Sequence, residues 1–308
     1  MEAYQAALAG VSAPNAIGAS RTKPGTMNAA IVGYYQSVAF RELASGTQRK
    51  YRHVLEHMRN EVGERQIAGL EQSLIVKRLS PLKPAASRNW LKVIRALLDF
   101  AVAEGFRTNN PARDIRPRKY KEQSHHAWTA EEIAQFEAYY PIGSAPRLAF
   151  ALLLYTMQRR GDVIRMGPQH IRDGEIYIKQ QKTGAELVLP IRPELQAVID
   201  ATPCRHLTFL TADSGRPFTG DYFSRQFREW CDAAGLPGSC NAHGLRHTGA
   251  YRLANDRATA HQLMAWGGWK SLQQVQRYTK AADQRHNARQ AVGLDREQPV
   301  ANLTSKSG

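Results

Sequence analysis

Between residues 109 and 128 the chain reads NNPARDIRPRKYKEQSHHAW, with two prolines, several basic side chains and almost no aliphatics. A stretch of that composition buries too little apolar surface to hold a core, so it reads as linker. A chain of 308 residues divided there must build a core on either side of it.

The segment before the linker is helical in pattern. Trp90, Ile94, Leu97, Leu98 and Ala101 recur at helical spacing, and Gly105 is placed to stop that helix. Ile31, Tyr34, Tyr35 and Val38 predict an earlier helix, Gln48 to Glu61 a second, and Leu70 to Arg78 a short one ending at Pro81. Residues 1–25, rich in Ala, Gly, Ser and Pro, read as a loose tail.

After the linker, Thr129 and Glu132 form a capping-box pattern, with Ile133, Phe136 and Tyr140 on one face before Pro141. Residues 145–157 are apolar all round and predict a buried helix. Strands are predicted near 169–172, 175–180 and 186–191. Asp173-Gly174 is a strong two-residue hairpin signal, and the second turn falls around Lys182-Thr183-Gly184. From about Thr219 the pattern is helical again. The fold class is therefore mainly α with a small antiparallel sheet.

A formal net charge of +15 favours a polyanionic partner, because Lys and Arg gain by displacing counterions from phosphates. In the linker, Arg113, Arg116, Arg118, Lys119 and Lys121 are candidates to track a phosphate backbone; a solvated hinge is the alternative. The odd cysteine count (Cys204, Cys231, Cys240), without CxxC spacing, argues against a disulfide framework or a thiolate metal site. No basic start followed by an apolar core opens the chain, and its most apolar stretch, 148–157, is far shorter than the roughly 20 residues a bilayer span needs. The expectation is a cytoplasmic protein associated with the nucleoid, without a membrane partner. No GxGxxG or Walker A motif occurs, so no cofactor is expected.

Four segments carry chemistry: TMQRRGDVIRM (156–166), QKTG (181–184), AHGLRHTGAYRLA (242–254) and WGGWKSLQQVQRYT (266–279). They supply arginines whose forked guanidinium suits phosphate oxygens, a lysine at a hairpin tip, a histidine and an arginine sharing a helix face, and a tyrosine. No carboxylate cluster accompanies them to hold the ions of a metal-dependent nuclease, so metal-free phosphoryl transfer is expected. His243 and His247 are spaced as in a zinc protease helix, but the required Glu is absent because residue 244 is Gly. Ser20 to Lys23 with Lys182-Thr183-Gly184 matches two boxes of the penicillin-binding enzymes, but no Ser-Asp-Asn triplet occurs.

In order and spacing these segments resemble the tyrosine recombinases, the family that includes phage integrases. The resemblance covers about 129–285 and extends more weakly over 27–112. It implies an N-terminal helical core-binding domain (26–112), a basic linker (113–128) and a catalytic domain (129–285); the C-terminal helix or tail (286–308) is a candidate for exchange between subunits, with a frayed tail as the alternative. It implies six catalytic residues: Arg159, Lys182, His243, Arg246, Trp269 and the nucleophile Tyr278, with Asp162 orienting its neighbours. Two departures stand out. The family often has Gly-Leu before the first Arg, where this chain has Met157-Gln158. Trp269 fills a position where His is commoner, and an indole donates one hydrogen bond but moves no proton.

The resemblance further implies cleavage and rejoining of double-stranded DNA through a 3′-phosphotyrosine, without metal or ATP, by a homotetramer on two paired sites. Lys182 is the candidate acid for the leaving oxygen. His243 is the candidate base, or a further phosphate ligand. A DNA-relaxing enzyme of the type IB topoisomerase kind and a non-catalytic DNA-binding protein remain the alternatives.

Overall fold

A computed structural model describes residues 22–119, 125–204 and 206–292. Most of the 1–25 tail (Ser20 included), Lys121 of the linker and residues 293–308 lie outside the described residues. The chain divides into two compact units between Glu122 and Gln123.

The first unit is all helical among its described residues: α1 (Met27–Gln36), α2 (Val38–Arg41), α3 (Ser45–Val62), α4 (Gln72–Leu79) and α5 (Pro84–Ala103). Its core is built from Ile31, Tyr34, Phe40, Leu55, Ile67, Ile94, Leu97 and Leu98. The pattern that joined Val38 to the first helix fails at Ser37. That residue is extended (ψ 151°), closes α1 and caps α2 with its hydroxyl, which leaves Val38 58% exposed. Helix α5 ends as expected: Gly105 takes a left-handed φ of 74°, and the Phe106 amide closes back on the Ala101 carbonyl. Arg95 fastens the chain beyond α5, donating to the carbonyls of Ala112, Arg113 and Ile115.

The second unit is helical around a three-stranded antiparallel sheet. It runs α6 (Ala130–Tyr139), α7 (Ala145–Thr156), α8 (Arg160–Val163), β1 (Ile171–Arg172), β2 (Glu175–Lys179), β3 (Glu186–Pro190), α9 (Pro193–Ala201), α10 (Gly220–Ala233), α11 (Ala242–Asn255), α12 (Ala260–Gly267) and α13 (Leu272–Ala291). The capping box on α6 forms, and α7 is buried on all sides among Trp128, Phe136, Phe227 and Leu245. Asp173 and Gly174 both take positive φ (50° and 75°), as a tight hairpin requires, and the register sets Ile176 against Leu189.

Two expectations need correction here. Strand β1 begins two residues late, because Pro168–His170 form a 3₁₀ turn in which the His170 ring accepts from the Gly167 amide. Helix α9 was not foreseen, although Pro193 in the first turn and Glu194 beside it are start signals. Helix α13 continues unbroken past residue 285. Among the described residues, no helix is long and apolar enough to cross a membrane.

Candidate active site

The site begins where α7 stops. Met157 closes that helix in a left-handed conformation (φ 53°), unfavourable by roughly 1–2 kcal/mol for a residue with a Cβ. Burial of its side chain against Ala250, Leu263, Val275 and Tyr278 offsets the strain. The reversal turns the Met157 carbonyl toward α11, where the Arg246 guanidinium donates to it. It also delivers Arg159, two residues on, to the start of α8.

Arg246 is 3% exposed, and its second donor reaches the Gly267 carbonyl at 2.9 Å. Its guanidinium lies over the Trp269 ring, 4.3 Å from the centroid. Burial and then the nearby Arg159 hold its pKa down to about 10, so it stays cationic at neutral pH. Arg159 donates to Gln180 Oε1 at 2.9 Å. The Gln180 amide in turn donates to Gln158 Oε1 (2.7 Å) and to the same Gly267 carbonyl (2.9 Å). One buried glutamine therefore links the two arginines. The approach depends on Gly267-Gly268. Gly268 ends α12 at φ 65°, a Cβ on it would lie 2.4 Å from Gln180, and one on Gly267 would fall within the Trp269 ring.

Tyr278 sits in the second turn of α13 and is 1% exposed. Its ring meets Trp269 (5.6 Å between centroids) and Tyr251 (4.9 Å). The phenolic oxygen accepts from Arg277 at 2.7 Å and lies 3.0 Å from His247 Nδ1. Burial raises the phenol's pKa, while the Arg277 charge and hydrogen bond and the Arg246 charge work to lower it. His247 is 2% exposed, and dehydration, then Arg277, then His243 push its pKa down to about 3. His243 stands one turn earlier on α11, with rings 5.0 Å apart, and His125 lies 4.4 Å from His243. His243 keeps an open edge to solvent; dehydration of the rest of the ring, then His125 and the arginines, lower its pKa to about 4.

Asp162 is buried on α8, and its Oδ1 accepts from the Gln181 amide at 2.8 Å. That bond holds the base of the β2–β3 turn. Lys182, next along the turn, is exposed.

Residues 126–285 match the phage integrase family. The chain belongs to the phage integrase family. An integrase of Escherichia phage HK022 is 26% identical over 271 residues, spanning 82% of this chain and 75% of the relative. That of Mycobacterium phage D29 is 25% identical, spanning 86% and 78%. That of Escherichia phage lambda is 30% identical over a shorter region, 47% of this chain and 44% of the relative. Among solved structures, a lambda integrase dimer bound to a core site aligns with a TM-score of 0.71 at 23% identity, covering 82% of this chain and 95% of that one. The Tn1549 transposon integrase with its right-end DNA aligns at 0.68 and 15%, covering 86% and 99%. The chain is accordingly a site-specific tyrosine recombinase.

Within this recombinase, Arg246, Trp269 and Tyr278 meet directly, Arg159 joins them through Gln180, and His243 borders them through His247. Lys182 is placed at the neighbouring turn, with no hydrogen bond drawing it to the tyrosine. Gln158, Gln180, His247 and Arg277 were missed as site residues. Glutamine amides have no telltale spacing, and His247 drew notice only through a zinc pattern that its neighbour Gly244 contradicts. Of the linker cations, Arg113, Arg116 and Lys119 are exposed, while Arg118 also donates to the Ser80 and Leu82 carbonyls. His126, Glu132 and Cys240 cluster closely enough to suggest metal ligands. The Glu132 carboxylate, however, is already taken by the Thr129 amide and the His126 ring.

Proposed function

We propose that Tyr278 attacks a scissile DNA phosphate, forming a 3′-phosphotyrosine and releasing a 5′-hydroxyl, and that a second 5′-hydroxyl reverses the step. The observation that carries this reading is Trp269: one indole face holds the Arg246 guanidinium and the same side chain borders the Tyr278 ring. Arg159 and Arg246, tied together by Gln180, hold the non-bridging oxygens as charge builds on them. Removing preorganised donors of this kind typically lowers rates by roughly 10²–10³ each. Lys182 protonates the leaving oxygen, and Asp162 positions its turn through Gln181. Because the phosphotyrosine keeps the energy of the broken bond, rejoining needs no ATP.

Double-stranded DNA is the partner, in keeping with the DNA-bound integrases that share the fold and with the +15 charge. The helical unit acts as the core-binding domain. Arg113, Arg116, Arg118, Lys119 and Lys121 track the backbone beside it. A tetramer on two paired sites is the working assembly; a lambda integrase tetramer on a Holliday junction shares the fold at a TM-score of 0.70 and 24% identity. The end of α13, polar and exposed, serves as the segment docked on a neighbouring subunit.

A nicked suicide duplex, which traps the cleaved strand on the enzyme, tests this. Wild type accumulates a covalent adduct and Tyr278→Phe does not; equal behaviour of the two would defeat the proposal. On plasmids, exchange that needs two paired sites supports recombination. Relaxation without exchange, by a monomer, points to the topoisomerase alternative.

A further inference from the structure

Among the described residues, the Tyr278 hydroxyl has two hydrogen-bonding neighbours, and their chemistry fixes which way its proton points. A guanidinium only donates, so Arg277 fills an acceptor position on the phenolic oxygen at 2.7 Å. The hydroxyl proton is then directed at His247 Nδ1, 3.0 Å away in a buried contact. His247 follows Arg246 directly on α11, in a run buried from Gly244 to Ala250, so its ring cannot swing away without disturbing the arginine. Four groups face the ring: Arg277 on its own partner helix α13, Arg246 and His243 on α11, and His125 before α6. All are cations or potential cations and, together with the burial of the ring, keep the imidazole neutral and able to accept.

We propose that His247, rather than His243, is the catalytic base that takes the Tyr278 proton, with Arg277 stabilising the phenolate that results. The inference rests on Tyr278 being the nucleophile. The O–H bond breaks and its proton passes to Nδ1, whose ring already carries a proton on Nε2. The phenolic oxygen bonds to phosphorus, the P–O5′ bond breaks, and the leaving oxygen takes a proton from Lys182. His247 ends as an imidazolium and returns its proton in the reverse step. Free of DNA, the ring is a weak base, first because it is buried and then because cations surround it. A phosphate seated on Arg159 and Arg246 brings negative charge into that field and raises its basicity, so the base becomes competent when substrate is in place. His243 is left free to bind phosphate through its open edge.

Single-turnover cleavage of the nicked duplex by wild type, His247→Asn and Tyr278→Phe decides the matter. Asparagine places an acceptor oxygen near the Nδ1 position but cannot hold a proton. The expected result is at least a 100-fold slower cleavage by His247→Asn, with duplex affinity within twofold of wild type. Replacing the scissile 5′-oxygen with sulfur removes the need for an acid; Lys182→Ala then regains rate and His247→Asn does not. A His247→Asn rate near wild type overturns the inference, because the ring would then only position the phenol. Should that variant fail to fold, wild type carries the test. A plateau in its cleavage rate from about pH 7 to 9 supports His247, whereas a tenfold climb per pH unit across 6–9 means that the proton goes to solvent. An adduct formed by Tyr278→Phe would remove the nucleophile itself; loss of that adduct with a normal His247→Asn removes only the base.

Discussion

A free phenol titrates near 10, so about one tyrosine in a thousand is ionised at neutral pH. Burial of Tyr278 makes matters worse, and the site answers with Arg277 against the oxygen and Arg246 across Trp269. Arg246 also has a structural duty, since it satisfies the carbonyls of Met157 and Gly267. Arg246→Lys keeps the charge but not the fork. It should lose roughly 1–3 kcal/mol of stability in urea denaturation, because the Met157 carbonyl is left without its donor, and cleave about 100-fold more slowly. His247 makes a separate prediction. Its folded pKa of about 3 lies below the unfolded value near 6.5, so its contribution is complete above pH 6.5 and is lost as pH falls toward 3. Wild type should lose about 2 kcal/mol from this group between pH 7 and 5, and His247→Asn should show a shallower decline in the same denaturation series. Arg246, Trp269 and Tyr278 were legible because their residue types at fixed intervals form a pattern, whereas Arg277 and His247 stand beside them without one of their own. Gln180 was not, since its role comes from where a hairpin lands and leaves no periodic trace.

At the scale of elements, the site depends on three chain reversals. Met157 stands in a left-handed position, and its buried side chain explains why a strained residue is tolerated. The α12–α13 junction needs Gly267-Gly268, and Gly268→Ala should be destabilising by at least 1 kcal/mol in thermal melts, since the new methyl meets Gln180 in a disfavoured backbone conformation. The β2–β3 turn hangs on Asp162. Asp162→Ala should release it and slow cleavage as Lys182→Ala does, with duplex affinity unchanged in a gel-shift titration. The hairpin at Asp173-Gly174 and the cap at Thr129 were readable because turn and cap chemistry is local. The break at Ser37 and helix α9 were not, because short helices show too few turns for periodicity to separate them from loops.

For the molecule as a whole, the charge of +15 predicts DNA affinity that falls steeply with salt. If Arg116 and Lys119 each contact a phosphate, Ala at either position should reduce the slope of log K against log salt by about 1, and an unchanged slope would remove that residue from the interface. The two units part between Glu122 and Gln123, inside the polar stretch, yet Ala112 and Ile115 belong to the first core and Trp128 to the second; the arrangement of one unit on DNA is a property that no local pattern encodes. The central claim concerns one oxygen atom. Trapping the covalent complex on a nicked duplex, digesting it and sequencing the nucleotide-bearing peptide by mass spectrometry locates that atom. The account predicts the DNA 3′ end on the peptide containing Tyr278. Attachment to Tyr251, to a serine or through a 5′ end would contradict it.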